Sequence, residues 1–119
     1  VVASYRKMNM YSVEKNFLAA GKTPVVYESP FGKVGITICS DIYSSSPMNE
    51  YAKMGIQVNA LSTSWAQWNS GMHSFRRGAV RTKSYVLASN QTYFPDSGVV
   101  NPDGTNQSHI RQSTGIAYG

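Results

Sequence analysis

The single cysteine of the chain, Cys39, closes the apolar run Gly35-Ile36-Thr37-Ile38-Cys39, and Ser40-Asp41 and then a helical pattern follow it. A side chain at such a strand-to-helix junction leaves the sheet edge beside unpaired backbone N–H groups and a helix dipole. There a thiolate is stabilised and a developing oxyanion can be bound. The competing reading is a buried structural cysteine, the more frequent fate of a lone Cys. Lys7 ends a short apolar stretch in Tyr5-Arg6-Lys7. A desolvated lysine beside a thiolate would hold the charge of a tetrahedral intermediate, and its competing reading is a surface lysine. The histidines are poorly placed as partners of the thiol, His73 in a predicted helix and His109 in a late predicted strand. No His, Asp or Glu residues recur at ligand spacing, and one Cys excludes a multi-Cys zinc site, so no metal is expected.

The elements that would position these groups follow from pattern. Val1–Tyr5 reads as a short strand, and 8–21 as a loop with a helical turn. Residues 24–39 read as a hairpin whose second strand puts Val34, Ile36 and Ile38 on one face, with the turn at Ser29-Pro30-Phe31-Gly32-Lys33. A helix is predicted over Pro47–Met54, begun by a proline whose missing N–H costs nothing there and ended by Gly55. Ile56–Leu61 is a strand with Ser62-Thr63-Ser64-Trp65 as its exit. A second helix over Met72–Lys83, a strand over Tyr85–Ser89 and a hairpin turning at Asn101-Pro102-Asp103-Gly104 complete the order. Strands alternating with helices and hairpins imply a layered α/β architecture.

Composition narrows the function classes. With 119 residues, 41% hydrophobic and 14% charged, the chain suits one globular domain or part of one. No apolar run approaches the ~18 residues a membrane span needs, so no membrane partner is expected. The net charge of +5 invites a nucleic-acid reading. Its only dense cluster, Arg76, Arg77, Arg81 and Lys83, reads first as a solvated helix face. The apolar start without Met suggests processing or a beginning inside a larger domain.

Five segments together resemble one family. Tyr5-Arg6-Lys7-Met8-Asn9-Met10-Tyr11 with Glu14 and Phe17 looks like the lysine motif of the carbon–nitrogen hydrolases, the nitrilase superfamily. Phe31 to Ile42 is similar to the nucleophile motif, an apolar strand ending in Cys-x-Asp. Thr63-Ser64-Trp65, Leu87-Ala88-Ser89-Asn90 and the hairpin Ser97 to Gly104 resemble the later motifs, in family order. Within the superfamily the branch most similar is that of the vanin and biotinidase amidases, which share the Tyr-x-Lys-x-Asn pattern, the offsets of Glu14 and Phe17 and the late Pro47. A bacterial-type amidase is the alternative branch.

The resemblance implies a partial α-β-β-α nitrilase-like sandwich, covering the middle and later segments of the domain. It implies a thiol-dependent hydrolase of small amides or nitriles with no cofactor. Cys39 would be the nucleophile and Lys7 the oxyanion partner. Glu14 would be a further glutamate orienting the site, and Ser64 and Trp65 would line the substrate pocket, a packed core Trp being the alternative. Asp41 is read as holding the turn by side-chain to backbone bonds. The family's general base, a Glu of the N-terminal part, is absent here, so the isolated chain is expected to be inactive or nearly so; such a loss typically costs ~10² to 10⁴ in rate. Arg81 stands where many relatives carry an acidic residue.

An incomplete sheet face implies a partner chain or a second copy completing the sandwich. The alternatives are a non-catalytic assembly module that keeps the fold and, third, a nucleic-acid binder. Compartment follows the branch, secreted if vanin-like and cytoplasmic if bacterial-type. The triplets Asn90-Gln91-Thr92 and Asn106-Gln107-Ser108 would suit the former.

Overall fold

The computed structural model describes residues 1–65, 70–91, 93, 96–111 and 114–119; Thr92 of the first glycosylation triplet lies outside them. Alternating apolar runs rich in Val and Ile pair into one six-stranded mixed sheet. Its strands are β1 (Val26–Ser29), β2 (Gly32–Ile38), β3 (Val58–Ser62), β4 (Tyr85–Ser89), β5 (Ser97–Val100) and β6 (Asn106–Ile110), and they lie side by side in chain order. β2, β3 and β4 run parallel, and the outer pairs are antiparallel hairpins.

Two helices make the parallel crossovers, α1 (Ser45–Met54) between β2 and β3 and α2 (Ser70–Thr82) between β3 and β4. Right-handed crossovers place both on one face of the sheet. Their apolar sides meet the sheet in a core of Ile42, Met48, Tyr51, Ile56, Leu61, Phe75, Ala79, Val86 and Val100. Gly55 ends α1 in the left-handed conformation, φ 65°, as its sequence position predicts. Thr37 donates to Asn59 at 2.6 Å within the core, so these two strand polar groups satisfy each other.

Gly78 on α2 shows how closely the layers approach. A Cβ there would lie 2.5 Å from Cδ1 and 2.7 Å from Cγ1 of Ile42, which is 1% exposed and has no room to swing. Helix propensity favours Ala over Gly by about 1 kcal/mol, whereas overpacking a tight contact costs about 1–3 kcal/mol. The clash is the larger effect. Gly78→Ala is therefore expected to lower the denaturation midpoint in urea without changing its slope, and a midpoint above wild type would show that Ile42 yields.

Among the described residues no α-helix packs on the opposite face of the sheet. Its rows run Tyr27, Val34, Val58, Tyr85 and Ile36, Ala60, Leu87, Val99. Tyr85 and Leu87 are 42% and 44% exposed, while the chain's end at Gly119 lies over Val99. The chain thus holds one helix layer and one sheet of a layered α/β fold.

One expectation fails. Val1–Tyr5 forms no strand, and Val1 and Val2 project into solvent. The following residues bond to the side chains and backbone of the Ser40–Asp41 turn and not to a strand ladder. An apolar pattern names a strand only where an edge takes up its backbone groups.

Candidate active site

β2 delivers Cys39 to the C-terminal rim of the parallel strands. The backbone turns there with Cys39 at φ 50°, a left-handed conformation for a non-glycine residue, and a 3-10 helix, Cys39–Tyr43, follows. Holding an L-residue there costs about 1–2 kcal/mol, so the surrounding contacts must fix it. They do so through Asp41, which is fully buried. Its Oδ2 accepts the Ile38 N–H at 3.0 Å and the Tyr5 hydroxyl at 2.8 Å. Its Oδ1 accepts the N–H groups of Met8 at 3.1 Å and Asn9 at 2.6 Å. Asn9 Nδ2 donates to the Ser40 carbonyl at 2.8 Å, and the Ser40 hydroxyl donates to the Asn9 carbonyl at 2.5 Å. The segment bearing Lys7 is laid across the turn bearing Cys39.

Lys7 is 8% exposed, which excludes the surface-lysine reading, and its ammonium donates to Glu14 Oε2 at 2.5 Å. The same oxygen accepts the Tyr11 N–H at 2.7 Å, so Glu14 closes the first turn of the 3-10 helix Ser12–Asn16. The Lys7 hydrogen bond first, then the Tyr11 amide, hold the Glu14 carboxyl below its ordinary range. Glu14 therefore contributes stability above the ordinary glutamate value of ~4.3, and that contribution is lost as pH falls below it through the lowered folded-state value. Melting followed from pH ~7 to ~3 is expected to fall less steeply in Glu14→Gln than in wild type. Parallel acid limbs would place the charge of Glu14 outside the folding equilibrium.

Trp65 stands at the exit of β3, on the same rim. Its backbone N–H donates to Asn90 Oδ1 at 2.7 Å, and its backbone carbonyl accepts from Asn90 Nδ2 and Gln91 Nε2. The indole meets Tyr43 and Phe75 edge-on, each at 5.8 Å between ring centroids. Trp65 is thus partly buried and packed against the core, as the packed-core reading expects. Ser64 beside it is exposed.

Tyr43 is the rim residue that sequence reasoning missed. Burial, then the charge of Cys39, push its phenol above the usual range, while a hydrogen bond with Ser40 pulls it down. No motif marks this residue. A second missed pair lies at the start of α2. His109 Nε2 lies 2.6 Å from Asp96 Oδ1, and Asp96 Oδ2 accepts the Met72 N–H in the first turn of α2 at 2.7 Å. The long stretch of sequence between these partners hides the pair.

Arg76, Arg77 and Arg81 of the basic cluster line a groove along α2 that Tyr43 also borders and whose lining contains neither Cys39 nor Lys7. Arg76 donates to the Gly104 carbonyl at 2.7 Å and Arg81 to the Ser44 carbonyl at 3.1 Å. These bonds to backbone carbonyls engage Arg76 and Arg81 within the fold. Among the described residues no group of three His, Cys, Asp or Glu side chains could hold a metal ion, and no helix is long and apolar enough to cross a membrane.

The family model for carbon–nitrogen hydrolases matches residues 1–119. The chain belongs to that family. A carbon–nitrogen hydrolase chain of this kind is similar to a hydrolase of Mycobacterium tuberculosis, 31% identical over 97 residues, covering 75% of this chain and 35% of that protein. The deaminated glutathione amidase of Dictyostelium discoideum is 28% identical over 108 residues, covering 77% of this chain and 36% of the amidase. Among solved structures, a variant of the amidase from Nesterenkonia sp. AN1 matches with a TM-score of 0.86 at 21% identity, over 95% of this chain and 47% of its own. In that structure the acetamide moiety of fluoroacetamide is covalently added to the active-site cysteine. Saccharomyces cerevisiae Nit3, of branch 10 of the nitrilase superfamily, matches with a TM-score of 0.84 at 18% identity, over 95% of this chain and 45% of Nit3. The fold is the mixed α/β nitrilase fold. This carbon–nitrogen hydrolase sequence spans about a third of the curated relatives and under half of these solved chains.

Proposed function

We propose that this chain carries the nucleophile half of a thiol-dependent amidase acting on small molecules with a C–N bond. The observation that supports it most is the laying of the Lys7 segment across the Cys39 turn at the rim of the parallel strands. In this reading the Cys39 thiolate adds to the amide carbonyl carbon, and the oxygen takes up the negative charge beside the Lys7 ammonium and a backbone N–H next to Cys39. The C–N bond then breaks, and the nitrogen leaves as ammonia or amine with a proton supplied by a general acid. The thioester that remains is hydrolysed by water, returning the thiol. Glu14 keeps the ammonium of Lys7 in place. Ser64, Trp65 and Tyr43 form the wall against which the substrate lies.

The proton carrier, a glutamate in the family pattern, is not among these residues. Related proteins of which this chain spans about half or less support the reading that it lies in further polypeptide. The open face of the sheet, with Tyr85 and Leu87 exposed on it, supports the same polypeptide or a second copy as its cover. The finer placement near the vanin and biotinidase branch rests on Tyr5-x-Lys7-x-Asn9 with Glu14 and Phe17 and the late Pro47.

Ammonia release from simple primary amides tests the reading. The 119-residue chain alone is expected to give rates near the uncatalysed reaction, and a longer protein that adds the missing glutamate to it measurable turnover. Strong turnover by the short chain would remove the inactivity reading, and no turnover of any amide by the longer protein would remove the amidase.

A further inference from the structure

We infer that Asp41 is a positioning residue that sets the register between Lys7 and Cys39, and not only the holder of a local turn. A turn needs one bond, the 3.0 Å bond from the Ile38 N–H. The other three donors come from the Tyr5 hydroxyl and the Met8 and Asn9 amides, 32 to 36 residues away in sequence. Lys7 lies between two of these contacts, and its carbonyl accepts the Gly21 N–H at 2.8 Å, so its backbone is fixed from both sides. Cys39 lies between Ile38, which donates to Asp41, and Ser40, which exchanges two bonds with Asn9.

The carboxylate is wholly buried, and among the described residues no cation lies within ion-pair distance of it. Its charge is satisfied by those four donors. A drift of the Lys7 segment would leave a buried carboxylate short of partners, a steep penalty that makes the register stiff. Each oxygen has a distinct share. Oδ1 serves only the Lys7 segment, while Oδ2 joins Tyr5 to the strand that carries Cys39. Moving one segment therefore moves the other.

The inference rests on Cys39 and Lys7 being the working pair, and its test needs no hydrolysis. The chain has one cysteine, so alkylation by acrylamide followed by intact mass reads Cys39 alone. Rate constants are compared for wild type, Lys7→Met, Asp41→Asn and the double variant, all kept well below their melting temperatures. Each single change is expected to slow alkylation by ~10-fold, and the double variant to be no slower than the slower single, because Asp41 acts through Lys7. Asp41→Glu keeps the charge but not the reach, and is expected not to rescue.

Should Asp41→Asn fail to fold, Tyr5→Phe removes one donor and keeps the ring. It is expected to slow alkylation by a few-fold and to shrink the effect of Lys7→Met. A Lys7→Met rate equal to wild type, additive single effects, or full rescue by Glu would overturn the inference. Coupled alkylation here, together with no amide turnover once the missing glutamate is supplied, would leave this role standing and remove the amidase reading alone.

Discussion

Cys39→Ala is expected to lower amide turnover by the proposed amidase, supplied with its general base, by ~10³ or more, since without the thiol no acyl group can be held and the remaining site can only orient water. Its melting temperature should move little, because Ala keeps the same left-handed backbone and removes one half-buried sulfur. Cys39→Gly separates the two parts of the effect. It loses the same chemistry, yet at φ 50° it releases about 1–2 kcal/mol of backbone strain, against ~0.5–1 kcal/mol of added chain entropy in the unfolded state. Cys39→Gly should therefore be at least as stable as Cys39→Ala. Calorimetry of both variants beside an ammonia-release assay checks the pair. Retained turnover in either variant would dismiss Cys39 as nucleophile, and a glycine variant several degrees less stable than the alanine one would mean the turn stores no strain.

Phe75→Ala is the largest expected loss of stability. The ring is fully buried in α2, and its edge contact with Trp65 joins the core to the rim of the site. Truncating such a residue typically costs about 3–5 kcal/mol, a large share of the ~5–15 kcal/mol that holds a domain together. A fall in Tm of roughly 10–20 °C is expected from thermal unfolding. Phe75→Leu should lose far less, near the ~1.5 kcal/mol of a tolerated apolar swap. The near-ultraviolet circular dichroism of the alanine variant should also weaken, because Trp65 loses its edge contact with Phe75. A loss under ~1 kcal/mol would mean that the layer between α2 and the sheet repacks around the hole.

Much of this molecule was legible before any coordinates. The β1–β2 hairpin, the proline-led α1 stopped by Gly55, the strand Tyr85–Ser89 and the final hairpin stand within a few residues of their expected places. These are local features: pattern period, turn residues and caps act over a handful of positions. Cys39 at a strand end and Lys7 close to Tyr5 were equally readable, as was Asp41 holding its own turn.

What lies near what across long separations was not readable. Val1–Tyr5 has the composition of a strand, yet the chain beyond it is anchored by a carboxylate more than thirty residues on. Tyr43 carries no motif and reaches the rim because the 3-10 turn after Cys39 aims it there, against Trp65. Asp96 and His109 meet only because β5 and β6 pair antiparallel and bring them to the start of α2. The sequence by itself determined the elements, the nucleophile candidate and the family pattern, since those depend on neighbours along the chain. Tertiary structure alone decided that the buried Asp41 charge would be satisfied by donors from two distant segments, because a desolvated carboxylate selects whichever N–H and O–H groups the fold brings within about 3 Å.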